Sequence, residues 1–357
     1  MVEKVKGLFK KQKVMKKITT KEERVNKFLV KLTRKNGWNF SDLPDARQEK
    51  KVKHEIVSVI WALELGLMAN MPTLRDIEDM TSELGSWARR LVSAKISDTT
   101  LDTEVRRLDQ ESLLAKLVLQ IRDMNRSKIL KPHGLPCGVA TIDGKNLATL
   151  DHYADGHAHR RTKDNKKWQK KGVTDTGEPY WLTPVLRSTL TSSLVKPCIY
   201  QKSLPPGTGE STNFKSMIDA LEQAYGKGKM VEIYDGDAAF ASLANADYLK
   251  NRLSPEQILL LVRQHWGIEN DCFNSLDVQW QEDSGKLCTQ GQAVWGLGIL
   301  RIMAYNVVQY FRKRRLRRKD DKGGWLLPMR WRLVFKTISK VVEGDYLTEF
   351  MSKQAVI

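Results

Sequence analysis

Apolar positions along this chain keep a helical period in its first third, a strand period in its middle and a helical period again towards its end. Over residues 42–124 they recur at three- and four-residue steps, which predicts a helical region. Leu43-Pro44-Asp45-Ala46-Arg47 opens it, residues 55–67 form an apolar helix, and Thr73 to Met80 has the form of a capped helix. Residues 96–101 then form a short turn feeding an exposed basic helix with Val105-Arg106-Arg107-Leu108. After a rigid, turn-rich linker at 131–136 the period drops to two. Residues 138–145 alternate as a strand ending on an Asp143-Gly144 turn, and 180–192, 197–202 and 230–234 are three more strands. Helices are expected over 214–225 and 241–249. Three strands, helix, strand, helix predicts an α/β fold, a sheet with flanking helices behind an all-α N-terminal region.

The last helical stretch carries the most pointed pattern. Ser254 and Gln257 form a capping box with Pro255 at the first helical position. Ile258, Leu261, Val262, His265, Glu269, Cys272, Phe273 and Leu276 then share one face. Glu269 is thus expected on the apolar side, where a carboxylate is costly unless paired, protonated or holding a metal. The plain reading is a buried salt bridge with Arg263 or Arg301. Residues 292–312 extend the helical pattern into the basic run from Arg312 to Lys319, and Trp325, Trp331 and residues 334–342 suggest one more packed element.

Composition narrows the partners. At 357 residues the chain suggests two or three domains with a sizeable core. Its 60 Lys and Arg against 42 Asp and Glu leave a formal charge of +18, which favours a polyanionic partner without separating DNA, RNA and anionic membrane. Residues 1–35 carry 13 of those cations, as a solvated basic arm would. Cys137, Cys198, Cys272 and Cys288 are scattered, with no CxxC pair, as reduced thiols of a cytosolic protein would be. The charged N-terminus lacks the apolar core of a secretory signal. The apolar stretches 56–71 and 293–311 contain Glu64 and Arg301 and read as buried helices, not membrane spans. His152, His157 and His159 lie in a Gly- and Lys-rich segment that suits a DNA-facing loop better than a metal site, and Gly207-x-Gly209 lacks the Lys-Ser/Thr of a phosphate loop.

His265-Trp266-x-Ile268-Glu269-Asn270, followed by Leu276-Asp277-Val278 and Glu282-Asp283, resembles the signature around the last catalytic carboxylate in a group of bacterial transposases. These are the insertion-sequence DDE transposases of the insertion-sequence-four-like class, the H-repeat-associated proteins among them. Asp143-Gly144-Lys145 is similar to the setting of the family's first catalytic aspartate, and Asp237-Ala238-x-Phe240 to that of the second. Asp235 is the alternative second acid, since two residues back on a strand it would point to the same side. The resemblance covers most of residues 40–311.

That resemblance implies a basic arm at 1–35, a helical DNA-binding region at 36–130, an RNase H-like catalytic domain at 137–311 with a mixed sheet, and a basic C-terminal extension at 312–357. It implies Asp143, Asp237 and Glu269 as catalytic residues and ligands of two divalent ions, Mg²⁺ with Mn²⁺ as substitute. Double-stranded DNA, as transposon ends and target, is the implied partner, cleaved and joined by direct phosphoryl transfer in the bacterial cytoplasm at the nucleoid. A homodimer on the DNA is left open, and no membrane is involved. DNA contacts are expected from Lys145, Arg263 and His265, from Arg106 and Arg107, and from Arg312, Arg314 and Arg315. The chain departs from the family in two respects. The long β insertion before the glutamate is missing, which leaves only residues 247–253 for a fifth strand. Val262, His265 and Leu276 also stand where the wider class has Tyr, Arg and Lys. A nuclease without strand transfer and a DNA-binding protein without catalysis are therefore the alternatives.

Overall fold

The computed structural model describes residues 20–45, 47, 52–150, 159–161, 180–205, 208–236, 254–282, 287, 293–319, 321, 324 and 326–344. Asp237, the 241–249 helix, the fifth strand, Trp325 and most of the histidine-rich segment lie outside the described residues.

Five helices come first: α1 (Lys21–Leu32), α2 (Ile56–Ala69), α3 (Leu74–Ser82), α4 (Asp98–Val105) and α5 (Gln110–Arg126). The second half of the expected basic arm is therefore folded. Thr20 caps α1 by accepting from the Glu23 amide at 3.1 Å, and Val25 and Leu29, four residues apart, are buried. Its lysines decorate a helix instead of solvating a loose arm. The Thr73–Asp76 capping box of α3 forms as expected. Arg106 and Arg107 depart from expectation: Ser97 caps α4, the helix ends at Val105, and the two arginines close it. There they pair with Asp102 (2.8 Å) and Glu104 (3.5 Å), so no basic helix projects from this turn.

The sheet is mixed. β1 (Val139–Leu150) runs antiparallel to β3 (Tyr180–Thr189), which runs antiparallel to β4 (Cys198–Ser203) and, at its other end, to the short β2 (His159–Arg161). After α6 (Glu210–Tyr225), β5 (Ile233–Asp235) lies parallel to β1 on the other side. The order is β4-β3-β1-β5. β1 does not end at Asp143-Gly144: Asp143 pairs with Arg187 and Gly144 with Leu186, and the strand continues to Leu150. An Asp-Gly hairpin turn needs a positive φ at the glycine, and Gly144 does not take one. What Gly144 supplies is space, for an ideal Cβ there would lie 1.9 Å from Glu210 Oε1.

The chain closes with α7 (Pro255–Gly267), a π turn (Ile268–Phe273), α8 (Asn274–Trp280) and α9 (Ala293–Tyr310). A second π turn (Phe311–Arg315), a hairpin of β6 (Arg318–Lys319) and β7 (Leu326–Leu327), and α10 (Trp331–Glu343) follow. Every residue of α9 is buried, because its faces meet α2, α5 and the sheet in turn. One apolar cluster runs from Val25 to Val342, so the N-terminal helices and α10 share a core with the sheet. The expected C-terminal extension is thus a core element over Trp331–Glu343, not a basic tail. Among the described residues no single helix is long and apolar enough to cross a membrane.

Two buried charges set the energetics. Arg187, 0% exposed, donates to both Glu282 oxygens (2.6 and 2.7 Å) and to Gln201 Oε1 (3.0 and 2.8 Å). Removing one partner of such a pair strands the other charge, so Arg187→Met should cost about 3–5 kcal/mol in denaturant unfolding. Glu64, in the middle of α2, is equally buried with neither carboxylate oxygen bonded, and burial alone pushes its pKa well above the usual value. The raised folded value means that its contribution to stability is greatest in acid and is lost as pH rises through it. Glu64→Met should therefore stabilise the chain at neutral pH, by about 1–3 kcal/mol in the same measurement.

Candidate active site

One face of the sheet carries a row of polar side chains. β5 pairs with β1 so that Asp235 stands beside Thr141. Thr141 and Asp143, two apart on β1, point the same way. Across the sheet, Arg187 of β3 and Gln201 of β4 continue the row, each in register with its neighbour. Thr141 Oγ1 donates to Asp235 Oδ2 at 3.3 Å and lies 3.0 Å from Thr191 Oγ1, which fixes the inner end. The Gly144 amide donates to Asp143 Oδ1 at 2.7 Å.

The helix α7 and its π turn lie over this face. His265 Nδ1 meets Asp235 Oδ2 at 3.0 Å, both side chains being largely buried. Glu269 is exposed, not on the apolar face as its spacing predicts. The segment Ile268–Phe273 is a π turn with i→i+5 bonding, which holds more residues per turn than an α-helix. Ile268, Cys272 and Leu276 take the buried positions, while Glu269 comes round into the open. It makes no buried salt bridge. Leu259, Val262 and Trp266 form an exposed stripe on the outer side of α7, with Trp266 59% exposed.

Asp143 feels most of these neighbours. Burial raises its carboxyl to about 6, the backbone bond from Gly144 opposes this, and the charges of Glu210 and Glu269 raise it further while His265 lowers it. Asp235 is raised too, by burial first, with His265 and Thr141 holding it down. The structure thus brings Asp143, Asp235, His265 and Glu269 into one electrostatic neighbourhood and adds Glu210, which the sequence reading passed over. Glu210 opens α6 after a glycine-rich break, and nothing in its spacing marks the approach of its carboxylate to Gly144.

The carboxylates suit a divalent cation in chemistry, being hard oxygen donors, and Asp143 is raised by burial first and by the neighbouring acids Glu210 and Glu269 second. In geometry they fall short: among the described residues no group of three His, Cys, Asp or Glu side chains could hold a metal ion. Asp235 spends one oxygen on His265 and Thr141. Cys137, Cys198 and Cys272 are free thiols, all buried.

Several residues expected at the DNA are turned inward. The Lys145 ammonium pairs with Asp277, lies 3.9 Å from Glu282 and sits 5.4 Å over the Phe273 ring. Asp277 and Glu282, the acids of the downstream motif, therefore hold the sheet to the last helix. Arg312 lies over the Trp331 ring at 4.7 Å, and Arg315 bonds the Tyr310 hydroxyl and covers its ring. Arg263, Arg314 and Arg315 are exposed. Comparison with protein families, curated proteins and solved structures finds no match for this chain.

The raised Asp143 supplies a test. Its ionisation costs stability as pH rises from about 4 to about 6. Asp143→Asn should therefore be more stable than the parent at pH 7.5, by about 1–2 kcal/mol once solvent screening of a partly exposed carboxyl is allowed for. The gap should close below pH 4, as thermal melts across pH would record.

Proposed function

We propose that this chain is a DNA phosphoryl-transfer enzyme of the DDE transposase kind, with an RNase H-like catalytic domain. In this reading Asp143, Asp235 and Glu269 form the acid set, and Asp235 takes the second place that the resemblance assigns to Asp237. The observation that carries the reading is the state of Asp143: its carboxyl is raised to about 6 among further acids, at the junction of two parallel strands and a helix. Such an arrangement gathers negative charge where an enzyme of this kind holds a cation. The strand order β4-β3-β1-β5, with α6 leading into a strand parallel to β1, supports it.

In this reading a divalent cation, when bound, supplies the positive charge that activates water and stabilises the leaving oxygen. Asp143 and Glu269 offer it oxygen donors. Asp235 holds His265 through Nδ1, which orients the imidazole at the edge of the same cleft. The +18 charge draws DNA towards the chain, and exposed Arg263 stands on the helix that carries the acid.

A second reading has its own support. Asp235 is engaged by His265 and no three ligands gather among the described residues, as in a DNA-binding protein derived from such an enzyme but without catalysis.

Nicking of supercoiled DNA with Mg²⁺ separates the two. The enzyme reading expects metal-dependent nicks that fall roughly a thousandfold in Asp143→Asn and in Glu269→Gln, the effect of several kcal/mol of lost transition-state stabilisation. Joining of paired ends to a target then distinguishes a transposase from a nuclease. Cleavage that survives loss of both acids sinks the enzyme reading, and DNA retention without nicking supports the second.

A further inference from the structure

Beside α7 and its π turn lies a second cleft, of about 360 Å³, that His265 does not line. Gln264 and Asp271 face it from the helix and the π turn, and Lys196, Arg312, Lys313 and Arg317 face it from the other side. Four cations thus surround one carboxylate. Asp271 is fully committed, its two oxygens bound to Lys196 Nζ at 2.8 Å and Lys313 Nζ at 3.0 Å. Among the described residues neither guanidinium group forms a salt bridge, Asp271 acting on Arg312 only at longer range. Arg312 Nε is buried with no acceptor, although its Nη1 reaches Gln309 Oε1 at 3.3 Å. Arg317 Nε donates to the Lys313 carbonyl, which fixes the direction of its guanidinium. Burial holds both Arg312 and Lys313 below their ordinary pKa values, with Asp271 opposing this, so the charge is paid for and incompletely matched. Gln264 Oε1 is also buried and unbonded, and its amide can turn to present Nε2.

We propose that this cleft binds a phosphate group. One buried and three half-buried cations with N–H donors, set around space for about ten waters, suit an oxyanion with several acceptor oxygens. The planar guanidinium forks of Arg312 and Arg317 match that geometry. A sulfur-free, monovalent anion such as chloride offers no fork to fill. The phosphate can belong to a DNA strand or to a free compound, and both present the same oxygens. If it belongs to DNA, the exposed Arg263 and Trp266 of the same helix are available to the same strand. The proposal stands on the cleft and not on the carboxylates, so it holds for an enzyme and for a non-catalytic DNA binder alike.

The test uses the full chain with inorganic pyrophosphate and a short DNA duplex as probes. Pyrophosphate should raise the melting temperature of the parent. The Lys196→Gln/Arg317→Gln double variant should weaken its binding roughly ten- to a hundredfold, the worth of one or two charge-assisted hydrogen bonds. Asp271→Asn works in the opposite direction: releasing two lysines should tighten pyrophosphate binding, even if the variant alone melts earlier. A merely structural role for these residues predicts no such tightening. Competition between pyrophosphate and the duplex, with a salt slope smaller by about 2 in the double variant, identifies the phosphate as DNA's. Protection without competition identifies a free phosphate compound. The proposal is overturned if pyrophosphate leaves the parent's melt unchanged, if the folded double variant keeps the parent's affinity, or if Asp271→Asn fails to tighten binding.

Discussion

The buried Arg187–Glu282 pair is the constraint on which the rest of the arrangement depends. Arg187 sits in β3, between Asp143 of β1 and Gln201 of β4. Glu282 lies just past α8, and Gln201 in turn donates to the Trp295 carbonyl at the start of α9 at 3.1 Å. One guanidinium therefore ties three strands to the helices that follow the candidate acid Glu269. Desolvating both ions is costly, and the return comes from geometry, because five donors of a rigid fork leave little freedom in where the helix lies. Lys145 with Asp277 repeats the device one step along β1. The acids of the cleft keep their relative placement because other charges beside them are spent on holding the scaffold.

A division of labour among charges follows. Glu282 is held below the usual carboxylate range by Arg187 against the cost of burial, and Asp271 by Lys313 and Lys196 in the same way. Asp143 lacks such a partner and is raised instead. Asp235 lies between these cases, raised by burial and partly relieved by His265. Structural acids and candidate functional acids are thus distinguished by whether a fixed cation answers them. Glu64 is raised as well, yet it lies sealed in α2 away from the cleft, so a perturbed carboxyl marks a site only where something can reach it.

Much of this was legible in the sequence, and the failures have physical causes. The capping boxes at Thr73 and Ser254, the strands about 180–189 and 198–203, and the buried stretch from Ala293 follow from local pattern, because caps and periodicity act over a few residues. Asp143 was marked by its strand, but the length of β1 was not. An Asp-Gly pair normally signals a turn, and the role of Gly144 in admitting Glu210 is a contact across 66 positions of chain. Arg187 looked like any strand residue, since its partner lies 95 residues away. The apolar face expected for α7 and its continuation holds at Leu261, Cys272 and Leu276 and fails at Glu269, which lies exposed beside the buried Ile268. Val262 and Trp266, apolar and exposed, show the converse error.

The π turn also bears on how this chain can change over generations. A turn that holds an additional residue sets the phase of everything after it, so substitutions and length changes within it differ in kind. Replacing a side chain on the outer face of α7 disturbs one contact. Deleting a single residue within Ile268–Phe273 would shift the phase of α8, by about 100° for one residue of an α-helix, and turn Asp277 away from Lys145. The helix would survive and the cleft would be dismantled. This short segment is therefore a place where the length of the chain is as constrained as the identity of Glu269.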